Sequence, residues 1–285
     1  MRDFATGCRV AEALRMASER LPGEEARREA EILLDAVLQR GRAWLFAYSD
    51  AVLTDADLAR FDALVQQRID GQPVAYLLGR RDFFGLELQV SPSTLIPRAD
   101  TETLVEQALR VADGKTGLKV LDLGTGSGAL ALALARHLPR SDVWATDRSD
   151  AALQIAKSNA LRLAMAHVRF CAGDWWVALP SDAPAFDLIV SNPPYIDAGD
   201  PHLQQGDLRF EPRSALVADE HGLADLRRII DGAPKHLAPG GWLLLEHGWQ
   251  QGDAVRSLLQ QAGARDVATE ADLGGQPRVS LGRWP

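Results

Sequence analysis

The chain has 285 residues, 46% of them hydrophobic and 25% charged, and a formal net charge of −8. That is enough for about two domains of an ordinary globular protein, each with its own core. The acidic balance argues against a protein that holds duplex nucleic acid through a basic face, although it leaves room for a local basic groove. Two cysteines, Cys8 and Cys171, far apart in sequence, argue against a disulfide framework and fit a reducing compartment. No run of about 18 apolar residues occurs, so no membrane span is expected. Met1 to Leu21 lacks the apolar core and cleavage site of a signal peptide, which makes the cytoplasm the expected location.

Residues 8 to 70 carry helical periodicity. Ala11, Leu14, Met16 and Ala17 form one apolar set. Ala30, Ile32, Leu33, Ala36, Val37 and Leu38 form a second, with Gly41 as the expected stop. Thr54 to Asp57 resembles a capping box that opens a third helix carrying Leu58, Phe61, Leu64 and Val65. The expected unit is a small helical bundle over residues 1–71. Residues 72–98 read as a connector. Phe83 to Val90 alternates about Gly85 in the manner of a β-hairpin, and Pro92 and Pro97 interrupt regular structure.

Over residues 99–285 strands and helices alternate. The expected strands are Val120 to Leu123, Asp142 to Thr146, His167 to Cys171, Asp187 to Ser191 and Trp242 to Glu246, with two short ones near Ala264 to Ala268 and Arg278 to Leu281. The expected helices are Ala129 to His137, Ala151 to Ala164, Leu223 to His236 and about Asp253 to Ala262. This order predicts an α/β fold, a mostly parallel sheet with helices on both faces.

The first of these strands runs into Gly124, Thr125, Gly126, Ser127 and Gly128. Alternating glycines at a strand-to-helix turn let a ligand approach the backbone closely, and the carboxyl end of the first strand is where open α/β sheets bind ligands. The second strand ends at Asp147, placed to accept both hydroxyl protons of a ribose. Alone, this pattern fits either S-adenosylmethionine or a dinucleotide, because Gly124, Gly126 and Ala129 also satisfy G-x-G-x-x-A. At the end of the third strand, Asp174 is either an adenine-binding acid or a solvated turn residue. Trp175 is expected to stack on adenine, and Trp176 to pack in the core.

The fourth strand empties into Asn192, Pro193, Pro194 and Tyr195. The two prolines bias Asn192 toward extended backbone. Its side-chain oxygen and the Pro193 carbonyl can then accept both N–H bonds of a planar NH2 group, while Tyr195 supplies an aromatic wall. Such a nitrogen is a poor nucleophile. Gripping it fixes its approach to an activated methyl group and stabilises the growing positive charge, so no dedicated base is required. Adenine N6, cytosine N4 and a glutamine amide all meet this description. The histidines show no metal-ligand spacing, so no metal is expected. Cys171 reads as core and His247 as structural, and no nucleophile elbow is present.

Several segments together resemble the HemK/PrmC-type peptide chain release factor glutamine methyltransferases, over nearly the whole chain. They are Ala75 to Gly79, Arg81 to Leu86, Leu95 to Glu102, the glycine turn, Asn192 to Asp197, Arg209 to Pro212, and Leu244 to Gly248. One departure is Ala99, where the family pattern has proline. The resemblance implies a seven-stranded Rossmann-like class I methyltransferase sheet and a helical N-terminal domain that docks the protein substrate. It implies S-adenosylmethionine as methyl donor, with S-adenosylhomocysteine as product. The acceptor it implies is the glutamine of the Gly-Gly-Gln motif in class 1 release factors. Gly124 to Gly128, Asp147 and Trp175 would hold the cofactor, and Asn192 to Tyr195 the glutamine; Asp174 and Asn192 are further candidates for the cofactor. Arg98 and Glu102 would either shape the site or form an inter-domain ion pair. A monomer is expected, without direct contact to nucleic acid or membrane.

Overall fold

The computed structural model describes residues 6–285; the first five residues of the expected N-terminal domain lie outside them. The chain forms two compact units. Among the described residues, one is 6–79 with 205–210, and the other is 80–204 with 211–285. No helix among the described residues is long and apolar enough to cross a membrane.

The smaller unit contains α1 (Val10–Arg20), α2 (Ala26–Leu38), α3 (Arg42–Ala47), α4 (Asp55–Ile69) and α5 (Val74–Leu78). Leu14 and Ala17 of α1, Leu33, Leu34 and Val37 of α2, and Phe61 and Val65 of α4 recur at helical spacing and share one buried core. Helix α2 does not run to Gly41. Gln39 takes a left-handed conformation (φ 54°) and its N–H bonds back to the Asp35 carbonyl. The Asp35 carboxylate then accepts the Gly41 N–H at 2.6 Å, and Gly41 opens α3 instead of closing α2. Thr54 caps α4 as expected, accepting the Asp57 N–H at 3.1 Å. The Thr54 hydroxyl donates in turn to the Asp57 carboxylate at 2.7 Å, so the pair is closed side chain to side chain.

The larger unit begins with the expected hairpin, β1 (Arg80–Phe83) and β2 (Leu86–Gln89). Phe84 and Gly85 both have positive φ (47° and 74°), the two-residue turn that matches the twist of paired strands. Phe83, Leu86 and Leu88 bury themselves in the core of this unit. Helix α6 (Glu102–Ala112) follows, which the sequence pattern did not single out. The remaining elements are β3 (Lys119–Leu123), α7 (Ala129–His137), β4 (Asp142–Asp147), α8 (Asp150–Arg162), β5 (Arg169–Ala172), β6 (Phe186–Ser191), the single turn α9 (Asp219–Gly222), α10 (Ala224–Gly232), β7 (Leu237–Glu246), α11 (Gly252–Gln261), β8 (Arg265–Ala271) and β9 (Pro277–Arg283).

The seven strands lie in the order β5-β4-β3-β6-β7-β9-β8, all parallel except β9, which runs antiparallel to both its neighbours. Side chains alternate across the sheet. Val120, Val143, Leu188 and Leu244 face one apolar layer, with Leu132 and Leu104 from α7 and α6. Leu121, Trp144, Ile189 and Leu243 face the other, with Ile229 and Val255 from α10 and α11. Cover on both faces explains why these strands read as continuous apolar runs. From β3 the chain builds outward in one direction through β4 and β5, then returns to build the other side from β6. The carboxyl ends of β3 and β6 therefore flank the point where strand order reverses, the place at which an open sheet leaves a crevice.

Candidate active site

The turn after β3 occupies one side of that crevice. Gly124, Gly126 and Gly128 have φ of 76°, 55° and 87°, a region that side chains beyond glycine rarely adopt. A Cβ on Gly124 would stand 3.2 Å from the Trp175 ring, and one on Gly128 3.1 Å from Leu132 and 3.3 Å from Ala156. The outer glycines thus permit close packing, whereas Gly126 has open space before it.

Two carboxylates grip the turn from opposite sides. Asp122, fully buried, accepts the Thr125 hydroxyl at 2.6 Å and the Ala131 N–H at 3.1 Å through Oδ2, and its Oδ1 is buried without a hydrogen-bond partner. Burial pushes its pKa up to about 7, against the pull of those two bonds. Asp147 accepts the Gly126 N–H at 2.9 Å and the Ser149 N–H at 2.8 Å, one on each oxygen. Asp122 was not among the expected site residues. Its one signal was an acid on a strand whose neighbours are all apolar.

Trp175 adopts φ 50° and donates its indole N–H to Asp225 at 3.0 Å, which holds the ring edge over Gly124. Asp174 is paired with Arg228 at 2.6 Å. Trp176 stacks on His236 with centroids 4.6 Å apart, as a packing residue.

On the other side, Asn192 donates through Nδ2 to the Thr101 hydroxyl at 3.2 Å, leaving Oδ1 as an acceptor. Tyr195 donates its hydroxyl to Glu246 at 3.2 Å; burial, then that carboxyl, raises the phenol above its usual range. A cleft of about 970 Å³, open to solvent, brings together Gly124 to Ser127, Asp147, Asp174, Trp175, Asn192 and Pro194, with Thr101 also in its wall. Gly128, Pro193 and Tyr195 stand behind that lining.

The Tyr195 carbonyl is fixed by Gln251 at 3.1 Å and by the close passage of Gly222. A Cβ on Gly222 (φ 83°) would fall 2.0 Å from that carbonyl oxygen. Gly222→Ala is therefore expected to lower both the melting temperature and the turnover. The backbone must shift at the tyrosine of the N-P-P-Y turn, and left-handed strain adds about 1–2 kcal/mol. Wild-type turnover and melting temperature in this variant would refute the contact.

Arg98 pairs with buried Glu211, which ties the stretch Leu95 to Glu102 to Glu211 and Pro212. Glu102 accepts the Phe84 N–H at 2.9 Å and so holds the hairpin turn. His247 is fully buried, bonded to the Gly248 carbonyl (2.9 Å) and the Ser280 hydroxyl (2.8 Å), and burial depresses its pKa. Its surroundings fit the structural reading.

Asp122 and Glu246 both have pKa values raised by burial to about 7. A carboxyl whose folded pKa lies above its unfolded value of about 4 binds more protons folded than unfolded between those values. Stability should then fall as pH rises from about 4 to 7, by up to about 1.4 kcal/mol per pH unit per group, and level off above. Thermal melts from pH 5 to 8 check this, and Asp122→Asn should flatten the slope.

A doubly wound sheet with glycines at its switch point, an acid ending the second strand and an acceptor amide ending the fourth defines an S-adenosylmethionine-dependent methyltransferase. The site suits that cofactor: Gly126 leaves room for it, and each Asp147 oxygen keeps a lone pair after bonding the backbone. The sequence matches the PrmC N-terminal domain family over residues 12–79 and the Methyltransferase domain family over residues 114–273. It is 54% identical to the release factor glutamine methyltransferase of Salmonella typhimurium, over 92% of this chain and 93% of that one. It is 55% identical to that of Xylella fastidiosa, over 95% and 97%. A methyltransferase from Pyrococcus furiosus shares the fold at a TM-score of 0.54 and 19% identity, covering 78% of this chain and 96% of that one. The chain belongs to the release factor glutamine methyltransferase family.

Proposed function

We propose that the enzyme methylates the side-chain amide nitrogen of the glutamine in the Gly-Gly-Gln motif of class 1 peptide chain release factors. The observation that carries this is an acceptor amide, Asn192, opposite the glycine turn, in a chain of this family. When bound, S-adenosylmethionine supplies a methyl group on a positively charged sulfur. Gly124 to Ser127 cradle it, Asp147 accepts the ribose hydroxyls, and Trp175 walls the adenine. Asp174 adds polarity at that edge while paired to Arg228. Asn192 Oδ1 and the Pro193 carbonyl accept the two amide N–H bonds of the glutamine, Pro194 confines its plane with Tyr195 packed behind it, and the surplus proton leaves to water. The enzyme acts as a cytoplasmic monomer.

The test is transfer of labelled methyl from S-adenosylmethionine to a release factor, duplex DNA and RNA in parallel. Label confined to the release-factor glutamine supports the reading. Label only on nucleic acid would keep the cofactor and overturn the acceptor.

The helical unit docks the protein substrate in this reading. Its exposed aromatic residues, Phe46 and Tyr48, are the first candidates: the Arg42 guanidinium lies over Phe46, and Trp44 stacks on Tyr48 at 5.1 Å. Aromatic residues backed by arginine are common anchors. Replacing both by serine is expected to raise KM for intact release factor about tenfold or more, with unchanged cofactor affinity. An unchanged KM would remove these residues from the interface.

A further inference from the structure

An asparagine amide has two ends of nearly equal shape, one accepting and one donating. Presented the wrong way, Asn192 would set N–H groups against the N–H groups of its acceptor. Thr101 alone does not choose, because a hydroxyl both donates and accepts. Yet Thr101 is committed in an unusual way. It stands at the N-cap of α6, where threonine ordinarily bonds the first turn, and its hydroxyl makes no cap bond. It is buried, and it accepts from Asn192 Nδ2 at 3.2 Å. The same hydroxyl holds down the pKa of Glu246, the buried carboxyl at the end of β7, whose Oε1 takes the Tyr195 hydroxyl at 3.2 Å and whose Oε2 is buried with no hydrogen-bond partner.

We propose that Thr101 and Glu246 are positioning residues that set the direction of a hydrogen-bond chain, so that Asn192 presents its oxygen to the acceptor nitrogen. A carboxylate only accepts. While Glu246 is ionised, Thr101 must donate to it, a Thr101 lone pair is left for Asn192 Nδ2–H, and Oδ1 remains for the substrate. A protonated Glu246 can donate instead. Thr101 is then free to donate to Asn192 Oδ1, and the chain can run in reverse.

The groups facing Glu246 are Thr101 and Asp100 before α6, Tyr195 after β6, and Arg278 of β9. Arg278 is shared with Asp272 at 3.0 Å and Asp100 at 3.2 Å, so it is not a dedicated counter-ion. Burial and Asp100 raise Glu246, while Thr101, Arg278 and Tyr195 hold it down, leaving it at about 7. Turnover should therefore fall on the acid side of about pH 7.

This inference rests on the methyl-transfer reading, and the experiment separates the two. Thr101→Val keeps shape and removes the hydroxyl. It is expected to lower kcat about 10- to 100-fold with cofactor affinity within about twofold, and Thr101→Ser is expected to recover most of the loss. Glu246→Gln, whose amide can donate as well as accept, is expected to lower kcat several-fold and to abolish the acid limb near pH 7. Independently of any acceptor, the side-chain NH2 resonances of Asn192, assigned by their loss in Asn192→Ala, should titrate near pH 7 in the wild type. They should stop titrating in Thr101→Val and in Glu246→Gln. Wild-type kcat in Thr101→Val, a wild-type pH profile in Glu246→Gln, or resonances indifferent to both variants would overturn the proposal. A wild-type enzyme that labels no release factor would overturn the acceptor while the resonances still decide the chain.

Discussion

Asn192→Ala is expected to lower kcat for glutamine methylation by about 10²–10³-fold while cofactor affinity stays within about twofold. The expectation follows from where charge develops. The amide lone pair is delocalised, and attack on the methyl group leaves positive charge on nitrogen. An acceptor already in place meets that charge without reorganising, and removing it leaves one of the two amide N–H bonds without its partner, because the Pro193 carbonyl serves the other. The cofactor side should be unaffected, because the glycine turn is held by Asp122 and Asp147 and not by Asn192. Steady-state kinetics with release factor, alongside calorimetric titration of S-adenosylhomocysteine, checks both halves. A loss under about tenfold would mean that the amide does not grip the nucleophile.

Much of this site was legible because it is built from local rules. Alternating glycines, an acid at a strand end and a proline-fixed tetrapeptide act through their own backbone, so sequence order reveals them. The periodicity of Ala129 to His137 placed α7 with the bounds it has. What escaped depends on partners distant in sequence. Helix α6 was overlooked because its apolar side, including Leu104, Val105 and Ala108, follows directly on a proline-broken loop. Gly41 was misplaced because the Asp35 side chain, with Gln39 in left-handed backbone, ends α2 first. Asp122 carries no motif that distinguishes a loop-gripping acid from any other, and its role is visible only when Thr125 and Ala131 fold back onto it. Thr101 and Glu246 are 145 positions apart by their numbers, and only the neighbouring ends of β6 and β7 bring both to Asn192 and Tyr195.

Asp147→Ala should be the most damaging change for cofactor binding, weakening S-adenosylhomocysteine about 100-fold or more. The carboxylate does two things at once. It accepts the Gly126 and Ser149 N–H groups at 2.9 and 2.8 Å, which fixes the turn against the end of β4, and its remaining lone pairs face the cleft. Hydrogen bonds to a charged group contribute about 1.5–3 kcal/mol each, so losing two from the ligand alone corresponds to about 10²-fold or more. The freed Gly126, with φ 55° and no contact in front of it, adds loop entropy to the loss. Asp147→Asn retains one accepting oxygen, and so one of the two backbone bonds, and should weaken binding to an intermediate extent, about tenfold. Calorimetric titration of the three proteins measures the order directly. Equal affinities for wild type and Asp147→Ala would mean that the turn holds the cofactor by shape alone, with the acid serving only the backbone.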